Sequence, residues 1–276
     1  MTTTTSAPFG THRIEVHVGD TSAQVEYLHR PGTKPALLCL HGFGGTKEDY
    51  ADLALRDDLA DRELVLVDAP GFGRSTIADP DRLSIPLLID VAEAVCHDLD
   101  LDSFHLLGHS MGGLTALLLA GRRPERVRSL TDIEGNLAPE DCFLSRQILD
   151  HPAADPLDFL DGFRTRVADR PEFASRLFVA GLDAKIRPES IRPIFTSIVE
   201  LSDHEPLLDV IGALPCPRLF VHGEQNRHLS YLGRLPDLGV EVEEITESGH
   251  FPMYSNPTAL WRAITRFIAR CEEVEP

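Results

Sequence analysis

A serine lies in a pattern that can make it a nucleophile. Gly108-His109-Ser110-Met111-Gly112 matches G-x-S-x-G, and it stands between an apolar run typical of a strand and a stretch with helical spacing. On so sharp a turn the backbone of the serine is strained, and the residues two positions away must be small because larger side chains would collide. The pattern predicts that Ser110 is the nucleophile of a covalent mechanism.

Strand-like and helix-like segments alternate along the chain and would position this turn. Near-continuous apolar runs, typical of strands buried on both faces of a parallel sheet, recur at residues 36–40, 64–67, 104–108, 127–133, 218–221 and 240–245. Helical spacing occurs at residues 47–60, 85–99, 111–122 and 259–271. Residues 12–18 and 23–29 alternate in polarity, as an antiparallel hairpin does. We predict an α/β fold with a mostly parallel, doubly wound sheet of about eight strands.

One stretch breaks this alternation. From about residue 136 to residue 214 there is no buried-strand run, whereas helical spacing, prolines and phenylalanines occur; the phenylalanines are Phe143, Phe159, Phe163, Phe173, Phe178 and Phe195. We predict that residues 136–214 form a helical cap over the open end of the sheet, inserted into a core of residues 1–135 and 215–276. Its apolar side chains would form a substrate pocket, and most of its arginines would be solvated.

Three motifs together carry a family resemblance. Residues 108–113 read GHSMGG, residues 41–45 read HGFGG, and residues 68–75 read DAPGFGRS. With these motifs the chain resembles the α/β-hydrolase superfamily over nearly its whole length. The resemblance implies an α/β-hydrolase fold and a serine hydrolase similar to esterases and lipases, and it is only weakly specific to a substrate.

The resemblance also implies which residue is the general base. In this superfamily a histidine after the last strand takes the serine proton, and His250 has that place in the chain. Other histidines have other expected positions: His41 in the glycine-rich loop, His109 beside Ser110, and His222 at the end of a buried strand. We therefore predict that His250 is the base.

The resemblance allows two places for the acid that holds the imidazolium, because relatives carry it after either of two strands. At the usual site relatives typically have an aspartate where Asn226 stands, and an amide cannot stabilise an imidazolium. At the other site, Glu134 resembles the acid of the haloalkane-dehalogenase branch in its placement. We predict Glu134 as the acid, with Glu224, Asp132 and Asn226 as alternatives. The alternative, purely structural role of Glu134 is a carboxylate that caps the next helix.

Backbone amides should stabilise the oxyanion of acyl transfer. Met111, the first residue of the helix after the nucleophile, supplies one N–H, and the match to HG-x-G makes the Phe43 amide the second. A phosphate site at this glycine cluster is disfavoured because the P-loop lysine is missing at its spacing. The sequence has no HExxH or other convincing metal cluster, and the chemistry needs no cofactor, so we predict neither metal nor cofactor.

Length and charge narrow the expected partners. The chain has 276 residues and a formal net charge of −18, which repels nucleic-acid phosphates and anionic lipids. No apolar run is long enough to span a membrane.

Residues 1–10 lack the basic start and the apolar run of a secretory signal, and they predict a frayed polar tail. The five scattered cysteines indicate no disulfide framework. We expect a cytoplasmic monomer or homodimer whose partner is a small-molecule substrate.

Three functions follow from these residues. The leading hypothesis is hydrolysis of a carboxylic ester or lactone of a small-to-medium apolar substrate through an acyl-enzyme. The second is carbon–carbon bond hydrolysis of diketone-like meta-cleavage products, by enzymes that resemble the chain in GHSMGG but usually have a proline in the oxyanion loop. The third is a non-catalytic ligand-binding protein on a hydrolase scaffold, which the Asn226 departure suggests. Dehalogenases and epoxide hydrolases attack with an aspartate, and residue 110 is serine.

Overall fold

Parallel strands with helices on both faces form the centre of the molecule. The computed structural model describes residues 9–149, 155–168 and 173–273. Within them, one sheet contains β1 (Gly10–Val18), β2 (Thr21–Arg30), β3 (Lys34–Leu40), β4 (Arg62–Val67), β5 (Thr76–Ile77), β6 (Phe104–His109), β7 (Val127–Ile133), β8 (Arg218–Gly223) and β9 (Glu241–Ile245). The strand order is β1-β2-β4-β3-β6-β7-β8-β9, and β5 pairs with β2.

The strand directions agree with the predicted α/β class. β1 and β2 form the expected antiparallel hairpin, and β2 joins β4 in an antiparallel pair. From β4 through β3, β6, β7 and β8 to β9, every neighbouring pair is parallel. The sheet has nine strands where about eight are predicted, since the short β5 pairs with β2 outside the main path of eight.

Helices connect these strands. The α-helices of the described residues are α1 (Ile85–Asp98), α2 (Met111–Arg122), α3 (Ser145–Leu149), α4 (Pro156–Ala168), α5 (Phe173–Ala180), α6 (Leu182–Lys185), α7 (Ile191–His204), α8 (Leu207–Ala213), α9 (Pro252–Ser255) and α10 (Pro257–Glu273). Within this part of the chain, no helix has both the length and the apolar character needed to cross a bilayer. Residues 1–8, most of the predicted polar tail, lie outside the described residues.

The period of two along β3 divides the core between the faces of the sheet. Leu38 belongs to the cluster that includes the apolar side chains of α1 and α2, whereas its neighbours Leu37 and Cys39 belong to the cluster that includes those of α10. All three side chains are fully buried. Burial of a leucine contributes ~1.5–3 kcal/mol, so both faces hold the strand in place.

Two predicted elements differ from the structure. Residues 47–60 form 3₁₀ helices rather than an α-helix, at Lys47–Leu55 and Asp57–Leu59. The buried residues Lys47, Tyr50 and Leu53 recur every third position, and a helix of three residues per turn aligns them on one face. The run at 240–245 was predicted as a strand buried on both faces, but β9 lies at the edge of the sheet, and its glutamates form ion pairs with arginines.

The helices α3 to α8 lie between β7 and β8 in the chain. Among the described residues of this stretch there is no strand, as the sequence predicts. α8 packs against α2, whereas α5 and α7 contribute aromatic rings that contact Phe251 after β9 and Phe43 after β3.

Candidate active site

Neighbouring parallel strands bring the predicted site residues to one edge of the sheet. Ser110 directly follows β6, Glu134 directly follows β7, Asn226 lies just beyond β8, and His250 follows β9. Because these strands are adjacent and parallel, their carboxyl ends meet at the same edge. Residues far apart in the chain therefore lie close together.

Ser110 occupies a strained turn between β6 and α2. Its φ of 51° and ψ of −118° are rare for a residue with a side chain, and its N–H donates a hydrogen bond to the Ile133 carbonyl oxygen at 2.9 Å. A Cβ at Gly108 would overlap the Gly112 carbonyl oxygen, and a Cβ at Gly112 would overlap that of Leu40. The turn thus requires glycine at both positions.

Glu134 accepts hydrogen bonds from three N–H donors. His250 Nδ1 and Asn226 Nδ2 donate to Oε2 at 2.9 and 2.6 Å, and the Gly223 N–H donates to Oε1 at 2.7 Å. Burial by itself raises the pKa of a carboxyl, but these donors and the charge of His250 outweigh it, so the pKa of Glu134 is lowered. The carboxylate is therefore ionised at neutral pH, although its side chain is 4% exposed.

The bond to Glu134 fixes the tautomer of His250. An ionised carboxylate can only accept, so Nδ1 carries a proton, and in the neutral form of the ring Nε2 has the lone pair. The ring lies among aromatic neighbours, with centroid distances of 4.9 Å to His109, 5.1 Å to Phe251 and 5.9 Å to Phe143. His250 can thus act as a proton acceptor that is held by a buried negative charge.

The alternative acids point elsewhere. Glu224 Oε2 accepts a hydrogen bond from the Glu247 N–H at 2.8 Å. Asp132 is fully buried, and its Oδ1 accepts from the Gly135 N–H at 2.8 Å. Asn226 donates to Glu134 instead of accepting from His250. Of the four candidates, the structure brings Glu134 into contact with the imidazole.

His109 supports the same loop, a contact that the sequence does not indicate. Its Nε2–H donates to the carbonyl oxygen of His250 at 2.8 Å. Burial and the neighbouring His250 lower the pKa of His109 to about 3, so its ring is neutral. His109 therefore holds the backbone of His250, and no local pattern marks this long-range bond.

The loop after β3, which holds Phe43, is tied to the loop after β4. The Ala69 N–H donates to His41 Nε2 at 2.9 Å, so Nδ1 carries the proton and donates to the Gly42 carbonyl oxygen at 2.8 Å. The Phe43 ring packs against Phe72 at a centroid distance of 5.8 Å. The loop between Leu40 and Thr46 is therefore held against the loop after β4.

A buried ion network anchors the far end of this loop. Lys47 Nζ lies 2.7 Å from Asp68 Oδ2, 3.0 Å from Glu26 Oε1 and 2.9 Å from Glu48 Oε1. The Lys47 and Asp68 side chains are 1% and 0% exposed, and Asp68 also accepts from the N–H groups of Lys47 and Arg74. Buried charges are tolerated because they are paired and hydrogen-bonded.

Met111 begins α2, so its N–H has no acceptor in its own helix. Aromatic side chains from the helices between β7 and β8 pack near Phe43 and Phe251. Phe178 of α5 stacks on Phe251 at 4.3 Å, and Phe195 of α7 lies 4.4 Å from Phe43. A small cleft between these elements is lined in part by Gly42, Phe178 and Tyr254. The arrangement provides an apolar surface beside the polar Glu134–His250 pair.

In the residues that the structure describes, no group of three His, Cys, Asp or Glu side chains could hold a metal ion. The cysteines Cys39, Cys96, Cys142, Cys216 and Cys271 are free and buried.

A family model described as the alpha/beta hydrolase fold matches residues 35–178. A pimeloyl-[acyl-carrier protein] methyl ester esterase of Aeromonas hydrophila is 38% identical over 120 residues, which are 43% of this chain and 43% of the relative. The chain thus spans less than half the length of this relative. A monoacylglycerol lipase of Xenopus laevis is 25% identical over 89% of this chain and 79% of the relative.

Solved structures give the same fold. An N-acyl homoserine lactonase variant complexed with N-hexanoyl homoserine has a TM-score of 0.75 and 20% identity, and the match covers 97% of this chain and 99% of that one. At this level of identity the likeness concerns the fold alone.

Proposed function

Because this chain belongs to the α/β-hydrolase fold family, we propose that it is a serine hydrolase that cleaves a carboxylic ester or lactone of a small-to-medium apolar substrate. One observation carries the proposal: the ionised Glu134 carboxylate accepts a hydrogen bond from His250 Nδ1, at the sheet edge where Ser110 immediately precedes α2. This is the relationship that a serine nucleophile needs from its base and its acid.

In the first step, Ser110 Oγ attacks the substrate carbonyl carbon while His250 Nε2 takes the hydroxyl proton. The developing imidazolium keeps its Nδ1–H bond to Glu134, whose negative charge stabilises it. The C–O bond to the leaving alcohol then breaks, and His250 Nε2–H protonates the departing oxygen. The product of this half-reaction is an acyl-enzyme at Ser110.

In the second step, water replaces the alcohol. His250 removes a proton from the water, which attacks the acyl carbonyl, and the proton returns to Ser110 Oγ as the acid leaves. In both steps the amides of Phe43 and Met111 donate to the tetrahedral oxyanion. The contacts that hold His41, Gly42 and Lys47 support this role, since a fixed donor costs no reorganisation during the reaction.

The apolar side chains near His250 support an apolar substrate. We propose that residues 136–214 act as a cap, with Phe143, Phe178 and Phe195 facing the site. The similar proteins include an ester hydrolase and a lipase by name, in agreement with an ester substrate.

The test is hydrolysis of p-nitrophenyl esters of increasing acyl length, and of lactones, by the wild type and by Ser110→Ala. We expect the wild type to turn over short to medium acyl chains and Ser110→Ala to fall to the background rate. A serine-reactive phosphonate should label the wild type and not the variant.

Other outcomes identify the alternatives. A wild type that is labelled but inert on esters and lactones would favour carbon–carbon bond hydrolysis, to be assayed on a diketone-like meta-cleavage product. A wild type that is neither labelled nor active would favour the ligand-binding hypothesis.

A further inference from the structure

Asn226 lies directly against the carboxylate that holds His250. Its Nδ2 donates to Glu134 Oε2 at 2.6 Å, and this is the same oxygen that accepts from His250 Nδ1 at 2.9 Å. The orientation of the amide is set by its partner, because an amide oxygen facing an ionised carboxylate would be repelled. Asn226 therefore donates to the same carboxylate oxygen that accepts the hydrogen bond from His250.

The surrounding backbone shows that this contact is held from several sides. The Gly223 N–H binds the other oxygen of Glu134, and the Gln225 N–H donates to the Ser248 carbonyl oxygen at 3.0 Å. A Cβ at Gly223 would overlap the Gly249 carbonyl oxygen. The turn after β8 and the loop of His250 thus pack closely around the carboxylate.

Glu134 itself sits in an unfavourable backbone conformation, with a φ of 50°. Its side chain has few other anchors: the structure gives it the three donors already described. If Asn226 did not donate, Oε2 would keep only the His250 bond, and the Gly223 bond to Oε1 would be the one remaining contact that orients the carboxylate.

We propose that Asn226 is a positioning residue that holds Glu134 Oε2 in line with His250 Nδ1. Residue 226 must therefore be a donor: a carboxylate there would compete with Glu134 for one proton, since two like charges at this distance cannot both be ionised without repulsion. This inference rests on the proposed hydrolase function for its kinetic readout, but it concerns a bond that can be observed without substrate.

The test compares Asn226→Ala and Asn226→Asp with His228→Ala, a control on the same turn whose exposed ring contacts the Gln225 carbonyl oxygen. Hydrogen bonds to charged groups contribute enough that Asn226→Ala should lower kcat at least about tenfold, with KM changed less than about twofold. The acidic limb of the kcat/KM profile of Asn226→Ala should move to higher pH. Without the Asn226 donor, the negative charge of Glu134 is less neutralised and stabilises the protonated His250 ring more strongly.

Asn226→Asp keeps the size of the side chain and controls for misfolding. We expect it to retain activity where the two carboxylates share a proton, and to lose activity as pH rises and that proton leaves. The wild type should not show this loss. His228→Ala should match the wild type in both kinetics and pH profile.

A substrate-free readout separates this proposal from the proposed function. The Nδ1–H of His250 should give a downfield proton NMR signal in the wild type that shifts or broadens in Asn226→Ala. An unchanged signal together with a wild-type pH profile would overturn the positioning role. If instead the signal moves but Ser110→Ala hydrolyses esters as fast as the wild type, the hydrolase mechanism is wrong and the positioning role stands.

Discussion

His250 Nδ1 lies 2.9 Å from Glu134 Oε2, although 116 positions separate these residues in the chain. Each oxygen of Glu134 faces N–H donors, from His250 and Asn226 on one side and Gly223 on the other. A glutamine at position 134 could accept from only some of these donors. Whichever way its amide was turned, its NH₂ group would face an N–H donor on one side.

Glu134→Gln is therefore expected to reduce kcat by about 10⁴-fold, the cost typical of replacing a triad carboxylate by its amide. Glu224→Gln is the matched control, because Glu224 accepts from the Glu247 N–H and does not contact the imidazole. Steady-state kinetics on the best p-nitrophenyl ester would measure both. Loss of activity in Glu224→Gln with retention in Glu134→Gln would contradict the assignment.

His109→Ala should lower kcat/KM about tenfold, because it removes the donor that holds the His250 carbonyl oxygen. His105→Ala removes another buried histidine of β6, at the opposite end of the strand, where it bonds to Ser129. We expect the second change to reduce Tm with little effect on kcat. Equal kinetic losses in both variants would mean that His109 contributes only to folding.

Gly112→Ala should destabilise the fold by ~3 kcal/mol, since its Cβ would overlap the carbonyl oxygens of Leu40 and His41. Gly121 lies in the same helix, and a Cβ there would meet Val210 Cγ1 at an ordinary 3.6 Å. Gly121→Ala should stabilise by up to about 1 kcal/mol, because alanine loses less entropy in a helix. Urea unfolding of both variants would reveal the difference, and a stable Gly112→Ala would refute the close approach at this turn.

Asp132 should make the protein less stable as pH rises. Burial raises the pKa of its carboxyl from 3.8 to about 8. Between these values the folded protein keeps a proton that the unfolded chain has lost, so the free energy of unfolding falls by ~1.4 kcal/mol per pH unit. Asp132→Asn removes this titration and should be more stable than the wild type at pH 8, with little difference at pH 4.

Urea unfolding at several pH values between 4 and 8 measures this effect. Asp102→Asn, which changes an exposed carboxylate, serves as the control and should follow the wild type. Parallel pH dependences of the wild type and Asp132→Asn would show that Asp132 is ionised in the folded protein.

Much of the architecture could be predicted from local patterns. Continuous apolar runs predict β3, β4, β6, β7 and β8 because strands between two helical layers need apolar side chains on both faces. The edge position of β9 could not be predicted in this way. Its glutamates form ion pairs with arginines, and only the tertiary structure shows that those arginines lie beside the strand.

The sequence by itself determined the strained turn of Ser110, because G-x-S-x-G between a strand and a helix is a local constraint on backbone and side-chain size. The tertiary structure alone decided which carboxylate contacts His250. Glu134, Asp132, Glu224 and Asn226 all lie near strand ends, and their identities do not reveal the direction in which each side chain points. That direction depends on the close packing of the β8 turn against the His250 loop, where Asn226 donates and Glu134 accepts. Such contacts join residues more than 90 positions apart, so no local pattern encodes them.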